Sequence, residues 1–162
     1  MNHRHALGVA AILLAAGTLA VADDEAARTA VYPAGNVPIA PYSPGIRTAD
    51  GTLYVSGQIP YVDGEIPAHA RDGEDDVRDQ TTIVMENLRS VLAEAGYDFD
   101  DAVRATVFMA DIGDYGAFNE VYGTYWADGG TPPARAAVEV GALPGGKPDA
   151  EVLVEVSMIA FK

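Results

Sequence analysis

The sequence predicts an α+β fold, a mixed β-sheet packed against two helices in the order β-β-α-β-α-β-β. Three observations carry that reading. Several runs alternate apolar and polar residues, the period of a half-buried strand. Two other stretches repeat their apolar residues every three or four positions, the period of an amphipathic helix. Hairpin turns and helices alternate as connectors, which gives a sheet of mixed direction with its helices on one face.

The elements follow in order. Residues Asp23–Pro44, rich in Ala, Pro and small polar residues, read as a leader arm. A strand over Gly45–Ala49, the turn Asp50-Gly51 and a strand over Thr52–Ile59 form a hairpin, with Leu53, Val55 and Gly57 on one face. Val62–Asp76 contains the acidic run Asp72-Gly73-Glu74-Asp75-Asp76 and reads as a solvated connector. From Val77 to Ala95 the stripe Val77, Val84, Leu88, Val91, Leu92, Ala95 predicts a helix that stops at Gly96. Val103–Met109 alternates as a strand. Asp114 is placed to cap a second helix reaching about Trp126, with Tyr115, Phe118, Tyr122 and Tyr125/Trp126 as its stripe. Strands over Ala134–Val140 and Glu151–Phe161 complete the chain.

Composition narrows the chemistry. The 162 residues include no cysteine, which removes disulfides, thiolate nucleophiles and cysteine-based metal sites. Two of the three histidines, His3 and His5, stand at the N-terminus, leaving His69 and arguing against a Ser–His–Asp triad. Acidic residues number 24 against 10 basic ones, a formal charge of −14, so nucleic acid is a disfavoured partner.

The N-terminus reads as a targeting segment. The uncharged run Ala6–Ala22 ends in Ala20-Val21-Ala22, an A-x-A cleavage pattern, directly before Asp23-Asp24-Glu25. Residues 1–22 are therefore expected to be a secretory signal peptide, 23–36 a leader arm and 37–162 one domain. The mature chain is expected to be periplasmic or secreted, with no membrane contact; an uncleaved membrane anchor is the alternative.

Alternation sets two charged residues in informative company. Arg135 shares a strand face with Ala137 and Glu139, and Glu155 shares one with Leu153, Ser157 and Ile159. If the last two strands pair, these groups can lie near each other. A guanidinium among small side chains is a fork-shaped carboxylate receptor, and a glutamate beside it can take a proton from water. The other reading is a cross-strand ion pair that satisfies two charges. Other patterns fail. Gly141–Lys147 resembles a phosphate loop, but Pro148 replaces the Ser/Thr ligand and the segment joins two strands. Asp98, Asp100 and Asp101 lack the spacing of an EF-hand loop.

The segments Pro41-Tyr42-Ser43-Pro44-Gly45, Leu53-Tyr-Val-Ser56-Gly57-Gln58-Ile59-Pro60, Val107-Phe-Met-Ala-Asp111, Phe118-Asn119-Glu-Val-Tyr122, Pro133-Ala-Arg135-Ala-Ala-Val-Glu-Val140 and Val154-Glu155-Val156 resemble the RidA/YjgF family, in the family's order. The resemblance implies a chorismate-mutase-like fold, a homotrimer with clefts between subunits, and cofactor-free hydrolysis of 2-imino acids such as 2-iminopropanoate and 2-iminobutanoate to 2-oxo acids and ammonia. It implies that Arg135 holds the substrate carboxylate and Glu155 positions or activates water. Tyr42, Ser56, Gly57 and Asn119 are the implied substrate-binding residues, and no metal or cofactor is implied. Two features depart from the family pattern. Ala136 and Ala137 follow Arg135 where a hydroxyl is common, and the loops after Pro60 and at Pro144–Ala150 are longer. A non-catalytic binder of small carboxylates and a chaperone-like role are the alternatives; ribonuclease activity is disfavoured by the charge and the scarcity of histidine.

Only two lysines, Lys147 and Lys162, accompany the many carboxylates, a surface that suits high salt because screening relieves its self-repulsion. The melting temperature is accordingly expected to rise from low to molar KCl, and a salt-independent melting curve would exclude that adaptation.

Overall fold

The computed structural model describes residues 27–34, 38, 40–73 and 75–162; the expected signal peptide over 1–22 lies outside the described residues. The elements are β1 (Arg28–Val31), β2 (Gly45–Thr48), β3 (Thr52–Gln58), α1 (Asp76–Glu94), β4 (Ala102–Met109), α2 (Tyr115–Tyr122), β5 (Ala134–Glu139) and β6 (Val154–Phe161). Together the strands make one sheet in the order β1-β2-β3-β6-β4-β5. The fold is α+β, with the expected elements in the expected order and one strand more.

That strand, β1, lies inside the segment read as a leader arm. It pairs antiparallel with β2 from Arg28↔Thr48 to Val31↔Gly45. Three of its four residues are exposed and only Val31 reaches the core, so its sequence carries no alternation to read.

The expected pairing of the last two strands is corrected. β6 runs antiparallel between β3 and β4, and β5 lies parallel to β4 on that strand's other edge. α2 explains this arrangement. A helical crossover returns the chain to the starting end of β4, so the next strand runs parallel beside it.

One face of the sheet packs on the helices. Ala105, Val107 and Met109 of β4 and Val154, Val156, Met158 and Ala160 of β6 are buried against Val84, Leu88, Val91 and Leu92 of α1 and Phe118 of α2. The α1 stripe is the expected one, joined by Met85. Its end is a Schellman motif: Gly96 adopts φ +81°, its N–H donates to Ala93 O at 3.0 Å, and the Tyr97 N–H donates to Leu92 O at 2.8 Å. Asp114 caps nothing with its side chain, because its backbone is already helical. Asp111, in extended backbone one turn earlier, does so instead, accepting the Gly113 N–H at 2.7 Å.

The connector over Val62–Asp76 is only partly solvated. Ile66 and Ala70 are buried with Ile83, Ala150 and Val152 in a second, smaller core between this loop and the loop before β6. Gln80 of α1, 1% exposed, fastens both loops. Its amide nitrogen donates to Ala70 O at 3.0 Å and Glu151 O at 2.9 Å, and its oxygen accepts the Leu153 N–H at 2.8 Å. Asn87 adds bonds to Ile59 O and Tyr61 O, both at 3.0 Å. Among the described residues no helix is long and apolar enough to cross a membrane.

Replacing Gln80 by Leu removes all three bonds while keeping bulk. Buried groups left without partners make the expected loss roughly 2–4 kcal/mol in urea unfolding; a loss below about 0.5 kcal/mol would mean that the loops hold without it.

Candidate functional site

Arg135 is the second residue of β5 and stands level with Ala105 of β4, whose side chain faces the helices. Opposite residues of neighbouring strands share a face, so the guanidinium goes to the helix side, where α2 receives it. Its Nη2 donates to Asn119 Oδ1 at 2.6 Å and to the Tyr115 hydroxyl at 3.0 Å. The charge lies 4.5 Å from the Tyr122 ring centroid, 5.3 Å from that of Phe118 and 5.5 Å from that of Tyr115. These distances are those of cation–π contacts. The ion pairs of the described residues do not include Arg135.

The aromatic stripe of the second helix thus does two things. Phe118 and Tyr122 are core residues, as their spacing predicts, and their rings also form the bed of the arginine. Tyr115, 41% exposed, closes the rim. Asn119 is fixed in turn, its amide nitrogen donating to Tyr115 O at 2.7 Å. Tyr115 was not among the expected site residues, although its position four before Asn119 puts both on one helix face.

Electrostatics differ between the two tyrosines. The hydrogen bond from Arg135 favours the ionised phenol and pulls Tyr115 below the ordinary tyrosine value. Burial dominates at Tyr122 and pushes its phenol to about 12. The Tyr122 hydroxyl is buried and makes no hydrogen bond of good geometry, although the neighbouring Arg135 guanidinium acts on it against the burial.

Glu155 lies elsewhere. It stands opposite Phe108 of β4, whose neighbours Val107 and Met109 face the helices, so Glu155 is on the open face of the sheet. β4 separates β6 from β5. The expectation that Arg135 and Glu155 share a side is therefore corrected: within one chain they occupy opposite faces, and neither satisfies the other's charge. Burial alone, with no cation beside it, raises the Glu155 carboxyl above its ordinary value.

The remaining expected residues lie on β3 and on the loop before β2, with Gly57 against Glu155. A register shift between Val55 and Gln58 puts one extra residue into β3 opposite β6. At this bulge Gly57 passes directly over the Glu155 carboxylate, and a methyl group there would collide with it. Ser56 donates to Ser43 O at 2.8 Å, tying the bulge to the loop that carries Tyr42, itself 39% exposed. The expected residues thus fall into two groups, Arg135 with Asn119 and Glu155 with Gly57, Ser56 and the Tyr42 loop. Among the described residues no cluster of His, Cys, Asp or Glu has the form of a metal site.

The sequence model described as Endoribonuclease L-PSP matches residues 33–162. This chain belongs to that family, also called RidA/YjgF. Within it, a RutC family protein of Saccharolobus solfataricus is 45% identical over 125 residues, 77% of this chain and 90% of that protein. The 2-iminobutanoate/2-iminopropanoate deaminase of Mus musculus is 38% identical over 124 residues, 76% of this chain and 83% of that protein. Among solved structures, E. coli TdcF with bound serine superposes with a TM-score of 0.70 at 32% identity, covering 83% of this chain and 98% of the other. This RidA-family chain therefore shares the fold of its relatives.

The lone Tyr122 hydroxyl makes a separable prediction. Tyr122→Phe keeps the ring beneath Arg135 and removes a buried donor without a partner. Stability is expected to stay level or rise by up to about 1 kcal/mol; a drop of more than about 1 kcal/mol in urea unfolding would reveal a bond to that hydroxyl.

Proposed function

We propose that the protein is a cofactor-free hydrolytic deaminase that converts 2-imino acids to 2-oxo acids and ammonia. The observation that carries the reading is Arg135: a half-buried guanidinium held by neutral acceptors and ring faces, with no carboxylate opposite it. Such a cation is oriented without being neutralised, and it suits a planar carboxylate. The serine in the related TdcF structure carries such a carboxylate, and the mouse relative is named for the reaction.

The chemistry needs little more. The imine carbon is electrophilic; Glu155 takes a proton from water as the oxygen adds to that carbon and passes it to the nitrogen, giving a carbinolamine. Glu155 then takes the carbinolamine hydroxyl proton and delivers it to the nitrogen as the C–N bond breaks, leaving the 2-oxo acid and ammonia. Its raised pKa suits both steps.

Arg135 and Glu155 of one chain cannot meet, so the cleft pairs Arg135 of one copy with Glu155 of another, and a homotrimer is the proposed assembly. The open sheet face supports this, since Tyr54 and Val138, 50% and 44% exposed, lie there beside Phe108 and Ile159. An apolar sheet face left in water is a surface awaiting a partner. We further propose export to the periplasm or medium, supported by the uncharged run Ala6–Ala22 and the cleavage pattern Ala20-Val21-Ala22 at its end. Binding of a small carboxylate without turnover is the second reading, favoured because the Arg135 seat is built without Glu155.

The experiment follows loss of freshly generated 2-iminopropanoate and 2-iminobutanoate. Arg135→Ala is expected to lower kcat/KM by roughly 100-fold, and Glu155→Gln to lower kcat by roughly 100-fold. The wild-type rate should fall as acid protonates Glu155, at a pH above the usual carboxylate range, and this limb should vanish in Glu155→Gln. Co-refolding the two variants should restore part of the activity, because some clefts then combine intact halves. No acceleration by the wild type would remove the deaminase reading, and a monomeric mass in light scattering would remove the shared cleft.

A further inference from the structure

The hydrogen bonds of Arg135 say more about the ligand than its charge does. A guanidinium offers two edges to a bidentate carboxylate, Nη1 with Nη2 and Nε with Nη2; the third side is closed by its own Cδ. Both usable edges need an Nη2 hydrogen. Here the two Nη2 hydrogens go to Asn119 Oδ1, at 2.6 Å, and to the Tyr115 hydroxyl, at 3.0 Å. A carboxylate taking either edge must therefore share or replace one of these acceptors.

The two acceptors are not equal. Asn119 is half-buried and locked by its second bond, to Tyr115 O at 2.7 Å. The Tyr115 ring is exposed at the rim, and its hydroxyl oxygen accepts from Arg135, with the Asn119 side chain also acting on it; the hydroxyl's own hydrogen makes no bond among the described residues. The hydroxyl is the acceptor that can yield, and it still has a proton to offer.

We infer that Tyr115 is a specificity-determining residue of this site, whose hydroxyl yields its Nη2 hydrogen to an incoming carboxylate and donates its own O–H to the same carboxylate oxygen. The ligand class is thereby a small acid whose carboxylate reaches the rim uncrowded, gripped by the arginine fork and by one phenol. The same hydroxyl keeps the guanidinium hydrogen-bonded at the rim. The inference rests on the reading of Arg135 as a carboxylate receptor, and it does not require turnover.

The test uses the full chain and 2-oxobutanoate, a stable 2-oxo acid. Calorimetric titration gives the Kd, and near-ultraviolet difference absorbance during the same titration reports a change at a tyrosine hydroxyl. Tyr115→Phe keeps the ring and removes only the donor. It is expected to weaken binding by about tenfold and to abolish the tyrosine difference signal seen with the wild type. Unchanged or tighter binding by the variant overturns the inference, because the hydroxyl would then be only a placeholder. A difference signal as large in the variant as in the wild type also overturns it, as does a wild type that does not bind 2-oxobutanoate. A wild type that binds with the expected signal yet leaves imines untouched keeps this inference and removes the deaminase reading instead.

Discussion

β5 lies parallel to β4 because α2 carries the chain back along the sheet between them, and the arginine seat depends on that crossover. The helix that makes the return path also covers the face toward which Arg135 points. Along its length it meets the guanidinium with three rings, a hydroxyl and an amide oxygen. The crossover also leaves β4 as a spacer between Arg135 and Glu155. Inside one chain this prevents the ion pair that would have quenched both groups, so the arginine keeps its charge available and the glutamate stays less ionised than an exposed one.

The second core serves the same end from the other side of the sheet's edge. β6 must hold its register for Glu155 to meet the bulge of β3. The chain just before β6 is held through Gln80, which grips Glu151 O and Leu153 N–H from α1. The loop after β3 is held through Asn87, at Ile59 O and Tyr61 O. Both strands that build the Glu155 corner are thus tied to a single helix. These two loops are the means by which the corner is braced, and their small shared core supplies the apolar burial that orders them.

Much of this was legible in the sequence, and the illegible parts share a cause. Period and stop signals found α1, with its stripe and Gly96, because a helix is specified within its own segment. They found the strands of the sheet except β1, whose four residues bury a single side chain. Pairing could not be read this way: alternation shows which residues share a face of one strand, and says nothing of which strand lies alongside. The supposed proximity of Arg135 and Glu155 failed on that point. The helix cap was set one turn late for a related reason, since Asp111 and Asp114 look alike until the backbone angles choose between them. Family resemblance named the residues that the fold sorts into these two groups. Tyr115 escaped notice because a tyrosine on an apolar stripe reads as packing, and only the position of its hydroxyl shows otherwise.

The closeness of Gly57 to Glu155 has a bearing on how this site can change over time. A side chain at position 57 is barred by the carboxylate tip, so the obstacle is movable and the fold itself would survive the change. A lineage that first lost the glutamate would face no barrier to filling position 57 afterwards. Once that space was filled, regaining a glutamate at 155 would require clearing 57 beforehand, although neither step alone would restore the site. The two positions form a ratchet: drift away from the carboxylate is open in single steps, and the way back is not.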